Sequence, residues 1–330
     1  MSILVTGGAG FIGSHVVDEL IKMNQSVIVI DDLSGGFEEN LNEKAKFIKG
    51  DICDYDLIKK VFNEYSVEYV FHLAAYAAEG LSHFIKRFNY NNNLIGSINL
   101  INQSIIHKVK CFVFTSSIAV YGKNQLPMTE EITPKPEDSY GIAKYAVEQE
   151  LKISHDMFGL NYIIFRPHNV YGERQNIGDK YRNVIGIFMN QILQNKPLTI
   201  FGDGEQSRAF SYINDVAPLI ASSINIRNAY NEIFNIGADT PYTINQLVEK
   251  ISEVMQAKPS VKHLEARNEV VHAYSSHKKS DEVFKSKAKT DLLEGVQKMA
   301  VWVRKYGAKK TKNFGEIEIE EKLPSVWKDF

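Results

Sequence analysis

The sequence predicts an α/β protein built on a doubly wound parallel sheet, with a smaller α/β substrate-binding domain set against it. Three observations carry that prediction. Short runs of β-forming apolar residues alternate with helical apolar spacing through the first half of the chain. A glycine-rich turn, Gly7-Gly8-Ala9-Gly10-Phe11-Ile12-Gly13, joins the first of these runs to the first helical one. Residues able to do chemistry or hold a ligand (Gly7, Asp31, Asp51, Ala74, Ser116 and Ser117) fall where the strand-like runs end, the edge at which such sheets bind ligands.

The elements follow in order. Ser2-Ile3-Leu4-Val5 is short and apolar, as a buried parallel strand should be, and 14–23 has helical spacing at Val16, Val17, Leu20 and Ile21. Between them Gly7 permits a tight turn, Gly10 lets the backbone approach a pyrophosphate, and Gly13 allows close helix packing. The helix N-terminus offers N–H groups to the anion. The next strand, 26–30, ends at Asp31, where a Rossmann unit places the acid that accepts hydrogen bonds from the adenosine ribose. With Asp32 beside it and no Arg or Lys close behind, a 2′-phosphate is repelled, so NAD is expected rather than NADP.

A strand over 45–50 leads into Asp51-Ile52; a helix over 54–65, a strand over 67–73, a long helix over 82–107 and a strand over 110–115 follow. Beyond about residue 170 the alternation loosens, with loop-like stretches at 172–182 and 201–205 and a helical one at 244–255. The expected division is an NAD-binding Rossmann domain over 1–170, to which 215–236 returns as a helix and strand. The remainder, 171–214 and 237–330, is the substrate-binding domain and a C-terminal tail. In the tail the basic run Lys309-Lys310-Thr311-Lys312 precedes Glu316, Glu318, Glu320 and Glu321. This reads as a solvated segment packed through Ile317, Ile319, Leu323 and Trp327, with a partner site as the alternative.

The 330 residues suffice for one large or two smaller cores. With 38 basic and 40 acidic residues the formal net charge is −2, so no global field argues for nucleic acid or a membrane surface. Cys53 and Cys111 have no metal-like spacing and read as small core hydrophobes in a reducing compartment. No metal is expected. No signal segment precedes the first strand, and no apolar run approaches the roughly 20 residues of a spanning helix. The expected location is cytoplasmic.

Tyr140 and Lys144 lie four apart on an expected helix and so share a face. A free phenol, with a pKa of about 10, is a poor base near neutrality. The Lys144 charge, together with an oxidised nicotinamide, is expected to lower it until Tyr140 can take a proton from a substrate alcohol. Ser117 would bind the same alcohol oxygen. Taken singly, Tyr140 reads as a half-buried helix aromatic and Ser117 as a strand-end serine; beside a dinucleotide motif they read as a catalytic set.

Gly7-x-x-Gly10-x-x-Gly13, His72-Leu73-Ala74-Ala75, Thr115-Ser116-Ser117 with Val120-Tyr121-Gly122, Tyr140-x-x-x-Lys144, Arg166-Pro167-His168-Asn169-Val170-Tyr171-Gly172 and Arg208 with Asp215 resemble the extended short-chain dehydrogenase/reductases. Within them the chain is most similar to the NAD-dependent nucleotide-sugar epimerases and dehydratases, over about residues 2–305. The resemblance implies cofactor contacts at Gly7, Gly10, Phe11, Ile12, Gly13, Asp31, Asp32, Leu33, Ser34 and Gly35. Further along it implies Asp51, Ile52, Leu73, Ala74, Ala75, Asn92, Ser116, Tyr140, Lys144 and His168. It also implies a homodimer formed through the two long helices near 82–107 and 140–158. Substrate contacts are implied at Ser117, Tyr140, Asn169 and Asn183, with Arg208 and Arg267 on the diphosphate. In this chain the family's Arg-Pro-Gly-Asp/Glu is shortened to Arg267-Asn268-Glu269, and Tyr274 falls where the family lines the hexose pocket.

Departures from the family narrow the reaction. The 4,6-dehydratases carry Asp-Glu after the strand-end Thr, and decarboxylating members a Glu in the second position; here these are Ile118 and Ala119, which transfer no proton. The Cys that other epimerases place by the serine pair is also missing. The expected function is therefore C4 epimerisation of a nucleotide sugar, interconverting UDP-glucose and UDP-galactose or a close UDP-hexose pair through a 4-keto sugar. Arg174, Lys180 and Arg182 make UDP-glucuronate the competing substrate if one of them reaches C6, and a solvated loop face if none does. The remaining alternatives are a net NAD-dependent nucleotide-sugar oxidoreductase and a catalytically silent NAD-binding protein.

Overall fold

A computed structural model describes residues 2–267, 269–286, 288–311 and 313–328, so Asn268 and Lys312, singled out in the sequence, lie outside the described residues. Seven strands form the central parallel sheet: β1 (Ser2–Thr6), β2 (Ser26–Asp31), β3 (Lys46–Lys49), β4 (Val67–His72), β5 (Cys111–Thr115), β6 (Tyr162–Pro167) and β7 (Glu232–Ile236). Their spatial order is β7-β6-β5-β4-β1-β2-β3. The winding reverses at β1, which pairs with β2 on one side and β4 on the other, and a crevice opens at their carboxyl ends.

The apolar runs arise because both faces of the sheet are covered. Alternate residues point to opposite sides, so Ile3 and Val5 join one core while Leu4 joins the other; Val113 and Phe112 divide in the same way. On the first face lie α1 (Phe11–Lys22), the helices Val184–Leu193, Ile213–Ser222 and Leu292–Tyr306, and part of Ile244–Met255. On the second lie α2 (Tyr55–Glu64), the helix over 86–106, here α3, and α4 (Ser139–Phe158). Asp54 starts α2 by accepting from the Leu57 amide at 3.0 Å, and Asp138 starts α4 by accepting from Gly141 at 2.8 Å. α4 ends at Gly159, whose φ of +75° suits the left-handed cap.

The long helix expected over 82–107 is broken. A single turn, Glu79–Ser82, precedes it, and α3 begins at Lys86, with five residues from Asn91 in wide π-helical turns. Glu318 from the tail caps α3, accepting from the Arg87 and Phe88 amides at 2.8 Å each. The helix Ile213–Ser222 packs on α1, and β7 closes the sheet beside β6. Smaller pairings involving Leu198–Phe201, Ser207–Ala209 and Pro241–Thr243 stand over the crevice. In the tail Leu323 and Trp327 are buried and Ile317 packs with them, but Ile319 is exposed, contrary to expectation, because the chain runs along the α3 cap there. Among the described residues no helix is long and apolar enough to cross a membrane.

One ion pair is set inside the second face. Arg166 on β6 donates Nε–H and Nη2–H to the two oxygens of Glu148 on α4, at 2.9 and 2.5 Å, and the Ser116 hydroxyl donates to the same carboxylate at 2.5 Å. Both charged side chains are almost fully buried. Removing one partner of such a pair strands the other charge in a low-dielectric interior. Glu148→Ala should therefore destabilise the fold by about 3–5 kcal/mol, measured as the change in urea unfolding free energy at unchanged m-value.

Candidate active site

The crevice widens into a cavity of about 980 Å³ that runs from the α1 turn to the tail. Its first end is made of backbone. Gly7 has φ +71°, and a Cβ there would meet the Ala74 amide at 2.7 Å; at Gly13 it would lie 2.0 Å from the Gly7 carbonyl oxygen. α1 carries no side-chain cap at Gly10, so its first amides face the cavity beside Gly10, Phe11, Ile12 and Gly13. Asp31 accepts from the amides of Ala9 at 3.0 Å and Leu33 at 2.8 Å, which fixes its carboxylate at the end of β2. Burial nonetheless pushes its pKa up, with those amides opposing. Asp32, Ser34, Gly35, Asp51, Ile52, Leu73, Ala74, Ala75 and Asn92 complete this end. A glycine cradle under a free helix terminus with an anchored carboxylate fits the pyrophosphate and ribose of a dinucleotide.

The floor is tied together by His72. Its Nδ1 hydrogen-bonds Thr6 Oγ1 at 2.7 Å and its Nε2 hydrogen-bonds Ser97 Oγ at 2.8 Å, joining the ends of β1 and β4 to α3. Burial holds this imidazole well below its ordinary pKa.

At mid-cavity stand Ser116, Ser117, Tyr140 and Lys144. Ser117 is fixed as the cap of the turn that follows β5, accepting from Ala119 at 3.1 Å. Its hydroxyl lies within hydrogen-bonding reach of the Tyr140 phenol and favours the ionised form. Lys144 donates from Nζ to the Thr115 carbonyl at 2.9 Å and sits 5.8 Å from the Tyr140 ring centroid. The protein's own groups do not lower the phenol pKa as expected. Burial raises it, Glu79 and Asp138 add to the rise, and Ser117 and Arg182 oppose it. Burial also brings Lys144 down to about 7, against the pull of Glu148.

The far end is built from side chains. Asn169, Asn183, Arg208 and Arg267 all line it. Glu269 sits between the two guanidinium groups, 3.2 Å from Arg267 and 3.7 Å from Arg208. Arg267 lies 4.0 Å over the Phe201 ring and 5.6 Å from that of Trp327. Of the three loop cations, Arg174 pairs with Asp18 at 2.7 Å and Lys180 lies over the Tyr181 ring. Arg182 turns inward, bonded to Asp179 at 2.6 Å and 4.6 Å over the Tyr76 ring.

Three expected site residues lie elsewhere. Leu33 gives its amide to Asp31, and its side chain is not among those lining the cavity. His168 turns away: its Nδ1 bonds the Ala209 carbonyl and its Nε2 meets His277 Nε2, each at 2.9 Å, and His277 continues to Asp239 at 2.6 Å. Burial and His277 press its pKa down to about 3. Tyr274 lines a separate cleft with Pro127 and His277, because the segment before it pairs with Ser207–Ala209 and carries it past the cavity.

A sequence profile of the NAD dependent epimerase/dehydratase family matches residues 3–237. The chain belongs to that family. A UDP-glucose 4-epimerase of Thermotoga maritima, solved with UDP-glucose, is 38% identical with a TM-score of 0.88, covering 93% of this chain and 99% of that one. A UDP-glucose 4-epimerase of Streptococcus mutans is 32% identical over 317 residues, 90% of this chain and 94% of its own. A UDP-glucuronic acid 4-epimerase of Bacillus cereus, solved with UDP-glucuronic acid and NAD, is 28% identical with a TM-score of 0.85, covering 93% of this chain and all of that one. The protein is thus an NAD-dependent member of the family.

Sequence reasoning missed Glu79, Gly36, Tyr76, Asp179, Tyr181, Phe201, Glu269 and Trp327, all on the cavity wall. It missed Glu148 too, although the i, i+4 stripe of Tyr140 and Lys144 that Glu148 continues was the signal that could have found it. Because Lys144 is depressed in the folded state, the unfolded chain holds an extra proton from about pH 7 to about 10.4. Stability should therefore rise with pH across that window by up to about 1.4 kcal/mol per unit, relative to Lys144→Met, read from denaturant titrations between pH 7 and 9.5.

Proposed function

We propose that the protein is a nucleotide-sugar C4 epimerase that interconverts UDP-glucose and UDP-galactose or a close UDP-hexose pair. The observation that carries this reading is the spacing of the cavity: the Ser117, Tyr140 and Lys144 group stands between a dinucleotide cradle and the Arg208 and Arg267 pair. A diphosphate held at the arginines extends its sugar toward Tyr140. Ile118 and Ala119 follow Ser117 and carry no acid or base for loss of water or carboxylate.

In this reading Tyr140 takes the C4 hydroxyl proton while Ser117 binds the same oxygen. NAD, when bound, would supply the hydride acceptor and donor, and the positive charge of its oxidised nicotinamide ring would offset the burial that raises the phenol. Lys144, bonded to the Thr115 carbonyl, places its amine beside the phenol ring, and the guanidinium groups keep the nucleotide anchored while the 4-keto sugar turns. Tyr140 then returns the proton to the C4 oxygen as the keto group is reduced on its other face, which inverts C4. Redox neutrality over the cycle distinguishes this from net oxidoreduction. Exposed Ile95 on α3 and Ile153, Met157 and Phe158 on α4 support a homodimer through these helices.

Proton NMR of UDP-glucose with the purified protein and no added cofactor should show the C4 epimer accumulating to equilibrium. Tyr140→Phe should reduce that turnover by at least about 10²-fold, the scale of lost acid–base catalysis, and leave UDP-sugar affinity nearly unchanged. Full activity in the variant would remove Tyr140 as the base.

A second reading, C4 epimerisation of UDP-glucuronate, is favoured by Arg182, whose guanidinium faces the cavity near Tyr140. Asp179 offsets much of that charge. If the uronate is the substrate, Arg182→Ala should abolish its turnover; retained uronate kinetics would discard this reading.

A further inference from the structure

Glu79 opens the single helical turn that follows β4, and its side chain faces the cavity. That turn is fixed against the catalytic helix: Ser82 Oγ donates to the Glu79 carbonyl at 2.6 Å and accepts from the Tyr140 amide at 3.2 Å. Beside it, a Cβ at Gly80 would come within 3.5 Å of Arg267 Nη1 and 3.2 Å of the Trp327 ring. Glu79 therefore stands between the Tyr140 phenol and the diphosphate arginines, the span a sugar must cross. Among the described residues its carboxylate forms no hydrogen bond or ion pair; its interactions are electrostatic, with Asp138, Arg208, Glu269 and Arg267.

We propose that Glu79 is a sugar-reading residue, accepting hydrogen bonds from the ring hydroxyls of a neutral hexose and repelling a sugar that carries its own carboxylate. This rests on the reading of the cavity as a nucleotide-sugar site. A carboxylate left without a protein donor is a strong acceptor for hydroxyls, and it makes a second carboxylate at the same place unfavourable. Although open to the cavity, the group is walled by protein. Burial pushes it up to about 7, with Asp138 adding, Arg208 opposing, Glu269 adding and Arg267 opposing. Its negative form in turn raises Tyr140, which also feels Asp138 and Arg182. Losing the charge should lower the Tyr140 pKa and extend activity to lower pH.

The test is titration calorimetry of UDP, UDP-glucose and UDP-glucuronate with the NAD-containing wild type, Glu79→Gln and Glu79→Asp, beside the pH dependence of C4 epimerisation. Relative to UDP, Glu79→Gln should bind UDP-glucose about tenfold more weakly, the scale of one hydrogen bond to a charged group. It should bind UDP-glucuronate more tightly, and its acid limb of kcat should move to lower pH. Glu79→Asp, which keeps the charge, should retain the discrimination against the uronate. Unchanged ratios among the three affinities in Glu79→Gln would overturn the proposal. A wild type that exchanges C4 in neither sugar would overturn the epimerase reading alone, since the affinities still decide the role of Glu79.

Discussion

The Glu148 carboxylate is the constraint on which the mid-cavity depends. It lies two helical turns beyond Tyr140 and one beyond Lys144 on the same stripe of α4, and it takes three hydrogen bonds from Arg166 and Ser116. Those partners sit at the ends of β6 and β5. A helix packed on a sheet through apolar contacts alone is free to slide or roll at modest cost, whereas a carboxylate bonded from two strands fixes both its rotation and its register. Tyr140 and Lys144 inherit that position. The same charge also moderates the desolvation of Lys144, so the ion pair that orients the helix keeps its amine within reach of ionisation near neutrality.

Much of the sheet was legible because a doubly covered parallel strand has to be apolar throughout, and Ile3 to Val5, Ile28 to Ile30 and Phe112 to Phe114 leave no polar face to mislead. The break between Glu79–Ser82 and α3 was not legible, since its residues continue a helical pattern and the end of α3 is capped by Glu318, more than two hundred residues away. Side-chain direction marks the same boundary. His168 and Tyr274 occupy the chain positions their motifs suggest, but whether each turns inward depends on His277 and on the pairing with Ser207–Ala209, which no local pattern encodes.

The cavity ends are built on different physics, and this explains why one was easier to read. The dinucleotide end is made of backbone brought close by the absence of Cβ atoms, so a few glycines in sequence announce it. The far end is assembled from Glu79, Arg182, Arg208, Arg267, Glu269 and Trp327, which come from a single helical turn, loops, the short strand Ser207–Ala209 and the tail. Here charge balance replaces close approach. Glu269 compensates Arg208 and Arg267, and Asp179 compensates Arg182, so a bound anion competes with an existing carboxylate for each guanidinium. In the proposed reading an incoming diphosphate gains its pairing while Glu269 loses one, and the net affinity is the difference between two strong interactions. Small changes among these side chains can therefore redirect substrate choice while the glycine cradle and the Glu148 anchor stay as they are. A family sharing one fold and one cofactor can in this way include epimerases for sugars of different charge.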